Sequence, residues 1–127
     1  MASVDQERDG STIAYGIRSE RTAEDVLVIS LAGEHDLHTA PEVERALRSV
    51  IAAGGRTAVV DLTETTFLDS TILSVLLNTR KELHGGGRLL LAIGDAKVKR
   101  VFEISGVDRF FEFYPSRRAA EDEARSS

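Results

Sequence analysis

Asp69, Ser70 and Thr71 place one carboxylate and two hydroxyls in a row, between a short apolar run and a long helical pattern. The first turn of a helix leaves backbone N–H groups without intrahelical acceptors. An acidic or hydroxyl side chain there caps the helix, and a negative charge there is stabilised. Two chemistries fit these residue types. Asp69 can hold the free N–H groups as a cap, and an anion at the same place would be stabilised by the helix start, as a switch would need. On spacing alone, three polar residues that merely begin a helix are the simpler reading. At about 100° per residue, Ile72, Leu73, Leu76, Thr79 and Leu83 turn toward a core, while Thr71, Ser74, Asn78 and Lys81 share the opposite side. Thr71 is therefore expected to be exposed, with Ser70 at the boundary between faces and Asp69 as the cap.

Other reactive-looking residues carry less. His35 and His38 flank Asp36 in a loop, but two histidines three apart without a third ligand are more often surface residues than a metal site, so no metal is expected. Asp61 and Asp69 at strand ends suggest a phospho-accepting aspartate, yet the acidic pair that would hold magnesium beside it is not evident. Gly85-Gly86-Gly87 precedes a strand rather than a helix, the wrong order for a phosphate-cradling loop. Lys97, Lys99 and Arg100 read as the solvated face of a helix. No HExxH, GxSxG or GxxxxGK pattern occurs. With neither a general base nor a metal cage assembled, no catalytic residue and no cofactor are expected.

The elements that must position Asp69 follow from length and pattern. The chain has 127 residues, 42% of them hydrophobic and 29% charged, which suits one globular domain. A net charge of −5 makes nucleic acid and anionic lipid poor partners. The absence of cysteine excludes disulfides and thiolate chemistry and fits a reducing compartment. No signal-like or membrane-length apolar run is evident, so the expected location is cytoplasmic, without direct membrane insertion.

Residues 1–10 read as a flexible leader. Alternation from Ser11 to Ile17 gives a first strand, Ser19 to Asp25 a charged connection, and Val26 to Ala32 a second strand ending at Gly33, together an antiparallel hairpin. Gly33 to His38 reads as a loop. Thr39-Ala40-Pro41-Glu42 has capping-box spacing, opening a helix that buries Val43, Ala46, Leu47, Val50 and Ile51 and stops at Gly54-Gly55. Thr57 to Leu62 and Leu89 to Ile93 are continuous apolar strands, as in a sheet covered on both sides. The Asp69 helix lies between them, ending near His84. Asp95 caps a helix stopped by Gly106, Phe110 to Tyr114 forms a last strand, and residues 115–127 form a charged C-terminal helix or tail. This order predicts an α/β domain over residues 11–114, a mixed and mostly parallel sheet with an N-terminal antiparallel hairpin and three to four helices. Sites in such sheets lie beyond the carboxyl ends of the parallel strands, where Asp69 falls.

Four blocks in order, Gly33-Glu34-His35-Asp36-Leu37-His38-Thr39-Ala40-Pro41, Val59-Val60-Asp61-Leu62, Phe67-Leu68-Asp69-Ser70-Thr71 and Val98-Lys99-Arg100-Val101-Phe102-Glu103-Ile104-Ser105-Gly106-Val107, resemble a bacterial STAS domain of the anti-sigma-factor antagonist (anti-anti-sigma factor) family. The resemblance spans roughly Ser11 to Tyr114. It implies a protein that binds an anti-sigma factor, in that family often an ATP-dependent serine/threonine kinase, and so releases a sigma factor to transcription. It also implies phosphorylation within a D-S-[ST]-G block, whose usual acceptor, the second hydroxyl, matches Thr71, with Ser70 as second choice. Here Thr stands where Ser is commoner, and Ile72 where the family usually has Gly. The partner surface implied is Asp69, Ser70, Thr71, Ser74 and Asn78, with Glu34, Asp36 and His38 of the neighbouring loop. A phosphatase acting on the phosphorylated form is a further implied partner, and the expected state is a monomer or weak dimer. The alternatives are a STAS interaction subunit of a lipid-transport ATPase or stress-signalling scaffold, and, less favoured, a small nucleotide-binding enzyme using Asp69 and Thr71 on bound phosphate.

Overall fold

The structure, a computed structural model, describes residues 15–52, 57–83 and 86–126. The leader, the first residues of the expected first strand, and the Gly54-Gly55 stop lie outside the described residues. In chain order the elements are β1 (Tyr15–Arg21), β2 (Leu27–His35), α1 (Ala40–Ala52), β3 (Ala58–Asp61), β4 (Thr65–Leu68), α2 (Ser70–Glu82), β5 (Leu89–Ala92), α3 (Ala96–Ile104), a 3-10 turn (Asp108–Phe110), β6 (Glu112–Tyr114) and α4 (Arg117–Arg125). One mixed sheet runs in the order β1-β2-β3-β5-β6. The β1–β2 hairpin is antiparallel and the other pairings are parallel, so the α/β architecture expected from the pattern is the one observed.

The sheet separates its two apolar sides by the period of two that strands impose. Ile29, Leu31, Val60, Leu89 and Leu91 face a core closed by α1, α2 and α3 through Val43, Leu47, Ile72, Leu76, Val98 and Phe102. Val28, Val59, Leu90 and Ala92 face the other way, onto Ala120 and Ala124 of α4. The C-terminal segment, open between helix and tail by its pattern, thus supplies a helix, Arg117–Arg125, that covers the sheet's second side. Ser116 caps it by accepting the Ala119 N–H at 3.0 Å. Arg88 ties it down by donating to Glu112 at 3.0 Å and Glu123 at 2.9 Å, and Arg117 reaches Glu20 on β1 at 2.8 Å.

Boundaries of the first two strands and of the last differ from the expectation; the last begins at Glu112 and not at Phe110, because Asp108–Phe110 turn as a 3-10 helix. β1 continues to Arg21, because a sheet-edge strand can leave Arg18, Ser19, Glu20 and Arg21 in water while its backbone still pairs with β2. The turn is confined to residues 22–26, with Asp25 in the left-handed region at φ 68°. β2 does not stop at Gly33. It runs to His35 because β4, a strand absent from the sequence reading, pairs with it from Gly33 onward, where β3 has already left. Gly33, at φ 82°, stands at the irregularity in the β2–β4 ladder, where the pairing passes over Thr66 between Gly33–Thr65 and Glu34–Phe67. The buried Thr65 hydroxyl donates to Leu31 O at 2.6 Å, fixing the start of β4. Asp61, weighed above as an acceptor of phosphate, holds the β3–β4 turn by accepting from the Thr63 N–H at 2.9 Å and hydroxyl at 2.7 Å.

Candidate functional site

β2 and β4 end side by side, with Glu34 opposite Phe67 and His35 opposite Leu68. Two segments therefore leave the same end of the sheet together: Asp36 to Thr39, entering α1, and Asp69, entering α2. Asp69 caps as its spacing predicts. Its backbone is extended, and Oδ1 accepts the N–H of Thr71 at 3.0 Å and of Ile72 at 3.2 Å. Ile72, Leu73, Leu76 and Thr79 are buried, so the β-branched residue beside Thr71 points into the core and leaves the surface to the hydroxyls.

The exposures of the two hydroxyl residues are the reverse of the sequence expectation. Ser70 is exposed, whereas Thr71 is only half-exposed. Thr71 opens into a groove of about 140 Å³ between α1 and α2, lined by Glu44, Arg48 and Ile51 on one side and by Thr71, Ser74 and Asn78 on the other. The helical wheel assigned Thr71 to the face away from the sheet, but that face is flanked by a neighbouring helix as well as by water. Ser74 and Asn78 are exposed along the same groove. Asn78 lies eight residues beyond Ser70, about 12 Å down the helix, so the eight sequence-predicted residues form a cluster at the sheet end and a stripe leading away from it.

On the other segment Glu34 and His38 are exposed and Asp36 is half-buried. Asp36 accepts the His38 N–H at 2.8 Å, and this N–H holds the Asp36 carboxyl below the usual carboxylate range. His35 is separate from these residues in environment: it is completely buried, while the His38 side chain is 85% exposed. The pair cannot converge on one ion, and among the described residues no three His, Cys, Asp or Glu side chains are grouped to hold a metal. Burial pushes the His35 imidazole below its ordinary pKa. Its Nε2 lies 2.9 Å from Ala32 O and so carries the hydrogen; its Nδ1 lies 3.1 Å from the Thr39 hydroxyl and accepts from it.

Two apolar side chains that the sequence reading left out border the cluster. Leu37 is 63% exposed and Phe67 49%. Neither had a signal to find it: Leu37 sits in a turn without periodicity, and β4 buries Thr65 and Leu68 while exposing the two residues between them, so it does not alternate. Leu37 and Phe67 thus stand exposed at the sheet end that also carries Glu34, Asp36, Ser70 and Thr71.

Fold and site together define a small α/β domain with a hydroxyl-bearing, partly apolar surface at one end of a mixed sheet. The sequence profile of the STAS domain matches residues 19–120, and the chain belongs to that family. The anti-sigma-B factor antagonist of Listeria monocytogenes is 36% identical over 89 residues, covering 69% of this chain and 78% of that relative. Its counterpart in Staphylococcus aureus is 32% identical over 80 residues, covering 62% and 74%. Among solved structures, an anti-sigma factor antagonist from Mycobacterium paratuberculosis superposes with a TM-score of 0.80 at 28% identity, over 88% of this chain and 95% of that one. Among the described residues no helix is long and apolar enough to cross a membrane.

Proposed function

We propose that this chain is an anti-sigma factor antagonist. It binds an anti-sigma factor of the serine/threonine kinase type, thereby freeing a sigma factor in the cytoplasm, and phosphorylation of Thr71 switches the binding off. Catalysis belongs to the partner: the Thr71 Oγ1 attacks the γ-phosphorus of ATP, the new O–P bond forms as the bond to ADP breaks, and the hydroxyl proton passes to the kinase. A phosphatase reverses the modification by hydrolysis.

The observation that carries this reading is the juxtaposition of the Asp69-capped start of α2 with the exposed Leu37, Phe67 and Glu34 at the same sheet end. A helix start accepts a phosphate without melting, so the added charge acts on the partner contact and leaves the fold in place. Similarity to the Listeria and Staphylococcus antagonists supports the same role.

Thr71→Glu is expected to weaken binding to the cognate anti-sigma factor by at least roughly tenfold, the equivalent of about 1.4 kcal/mol, with an unchanged circular dichroism spectrum. Equal affinity for the variant and the unmodified protein would sink the switch. The greater exposure of Ser70 favours a second acceptor. Incubation with candidate anti-sigma kinases and ATP, followed by mass-spectrometric site mapping, is expected to label Thr71; label confined to Ser70 would transfer the assignment.

A further inference from the structure

The groove into which Thr71 opens contains a cation on an adjustable arm. Arg48 of α1 contacts Glu44 on its own helix at 3.3 Å and Glu82 across the groove on α2 at 4.0 Å. All three side chains are about half exposed or more, and long surface ion pairs of this kind are weak and easily exchanged. The same groove is lined by Thr71, Ser74 and Asn78. α1 and α2 follow the parallel neighbours β2 and β4, so the two helices run in the same sense. Glu44 lies one helical turn nearer the start of α1 than Arg48, about 6 Å. An arginine that already reaches back to Glu44 therefore reaches toward the Thr71 end of the groove.

We propose that this groove is an internal receptor for the phosphate on Thr71, with Arg48 as its reader. This rests on Thr71 being the acceptor proposed above. A phosphothreonine brings three acceptor oxygens and nearly two negative charges at neutral pH. A guanidinium offers two parallel N–H donors matched to such a group and binds it more strongly than it binds an exposed carboxylate. Arg48 leaves Glu44 and Glu82 for the phosphate, while the Ser74 hydroxyl, about one turn on from Thr71, is placed to donate from α2. Glu44, now a like charge beside the phosphate, loses its cation, as does Glu82. The modification is thereby transmitted along α1: a groove edged by paired charges becomes one edged by two unpaired carboxylates. An anti-sigma factor docked against this side meets a changed surface one to three turns away from the modified atom.

The test installs phosphothreonine at position 71 of the full chain by codon expansion and follows its second ionisation by phosphorus NMR. That ionisation falls near pH 6 for a free phosphothreonine. The charged groups nearest it are Arg48 and Glu44, which line the groove from α1, and Asp69 at the cap, with Glu82 at the far end of the groove about three turns along α2. Arg48→Gln is expected to raise the phosphate pKa by about half a unit and Glu44→Gln to lower it by a similar amount, with Arg48→Lys in between. Arg48 and Glu44 are exposed, so these variants are expected to melt with the parent protein when unmodified. If neither substitution moves the phosphate pKa by more than about a tenth of a unit, the receptor does not exist. Because the phosphate is installed without a kinase, failure of kinases to label Thr71 would overturn the proposed switch and still leave this result readable.

Discussion

Two helices begin beside one another at the end of the sheet where β2 and β4 finish, and both are announced by the same kind of signal. α2 has Asp69; α1 has the capping box Thr39-Ala40-Pro41-Glu42. Asp69 does what its position predicts and takes two N–H groups of the first turn. The capping box is diverted. The Thr39 hydroxyl meets His35 Nδ1 at 3.1 Å, accepts the Asp36 N–H at 3.2 Å and faces Asp36 O, while the Glu42 carboxylate accepts the Tyr15 hydroxyl at 3.1 Å. Tyr15 in turn packs edge-on to His35, with ring centroids 5.6 Å apart. The difference lies in what stands behind each helix start. A buried imidazole left without partners costs more than a helix N–H that can turn to water, so the tertiary demand of His35 takes the side chain that the local signal had assigned to the backbone.

This contrast can be broken in order of expected effect. His35→Ala removes a fully buried ring and takes the imidazole N–H from the Ala32 carbonyl; a loss of about 3 kcal/mol is expected in urea unfolding. A loss no larger than that of the Asp69 cap would erase the distinction. Thr39→Val keeps the volume and deletes the hydroxyl, and is expected to cost about 1–2 kcal/mol, more than a surface cap because His35 Nδ1 is left unpaired. Asp69→Ala is expected to cost about 1 kcal/mol and Asp69→Asn much less, since asparagine caps equally well; melts of the two variants separate a cap from a kinase-positioning role. The gentlest effect is on pH. The unfolded chain protonates His35 near pH 6.5 while the folded chain resists, so stability is complete above that value and declines as the pH falls toward the lowered folded pKa. Guanidinium titrations at pH 7.5 and 5.5 are expected to show this loss, reduced in His35→Gln; an equal loss in the variant would place the titration elsewhere.

Much of the fold was legible because strong periodic signals coincided with strong packing. Ala58, Val59 and Val60, and Leu89, Leu90 and Leu91, read as strands covered on both sides, and all six are buried. The stripe Ile72, Leu73, Leu76 and Thr79 pointed to the core, and Asp95 and Gly106 marked the ends of α3, with Asp95 accepting the Lys97 N–H at 2.8 Å and Gly106 at φ 76°. β4 was illegible because four residues with only their outer pair buried carry no period; it exists because β2 outlasts β3 and offers a free ladder. α4 was ambiguous because its buried residues are alanines, whose small apolar area is a faint pattern among charges.

The sequence by itself determined that a carboxylate stands at the start of α2, that Ile72 turns inward and that two hydroxyls stay near the surface. These are consequences of backbone geometry, which needs only neighbours in the chain. Only the tertiary structure decided which hydroxyl is more exposed, that Leu37 and Phe67 border it, and that Arg48 shares a groove with Thr71. A helical wheel fixes directions about one axis. What lies in each direction depends on the helix packed alongside, and that was set by segments far away in sequence.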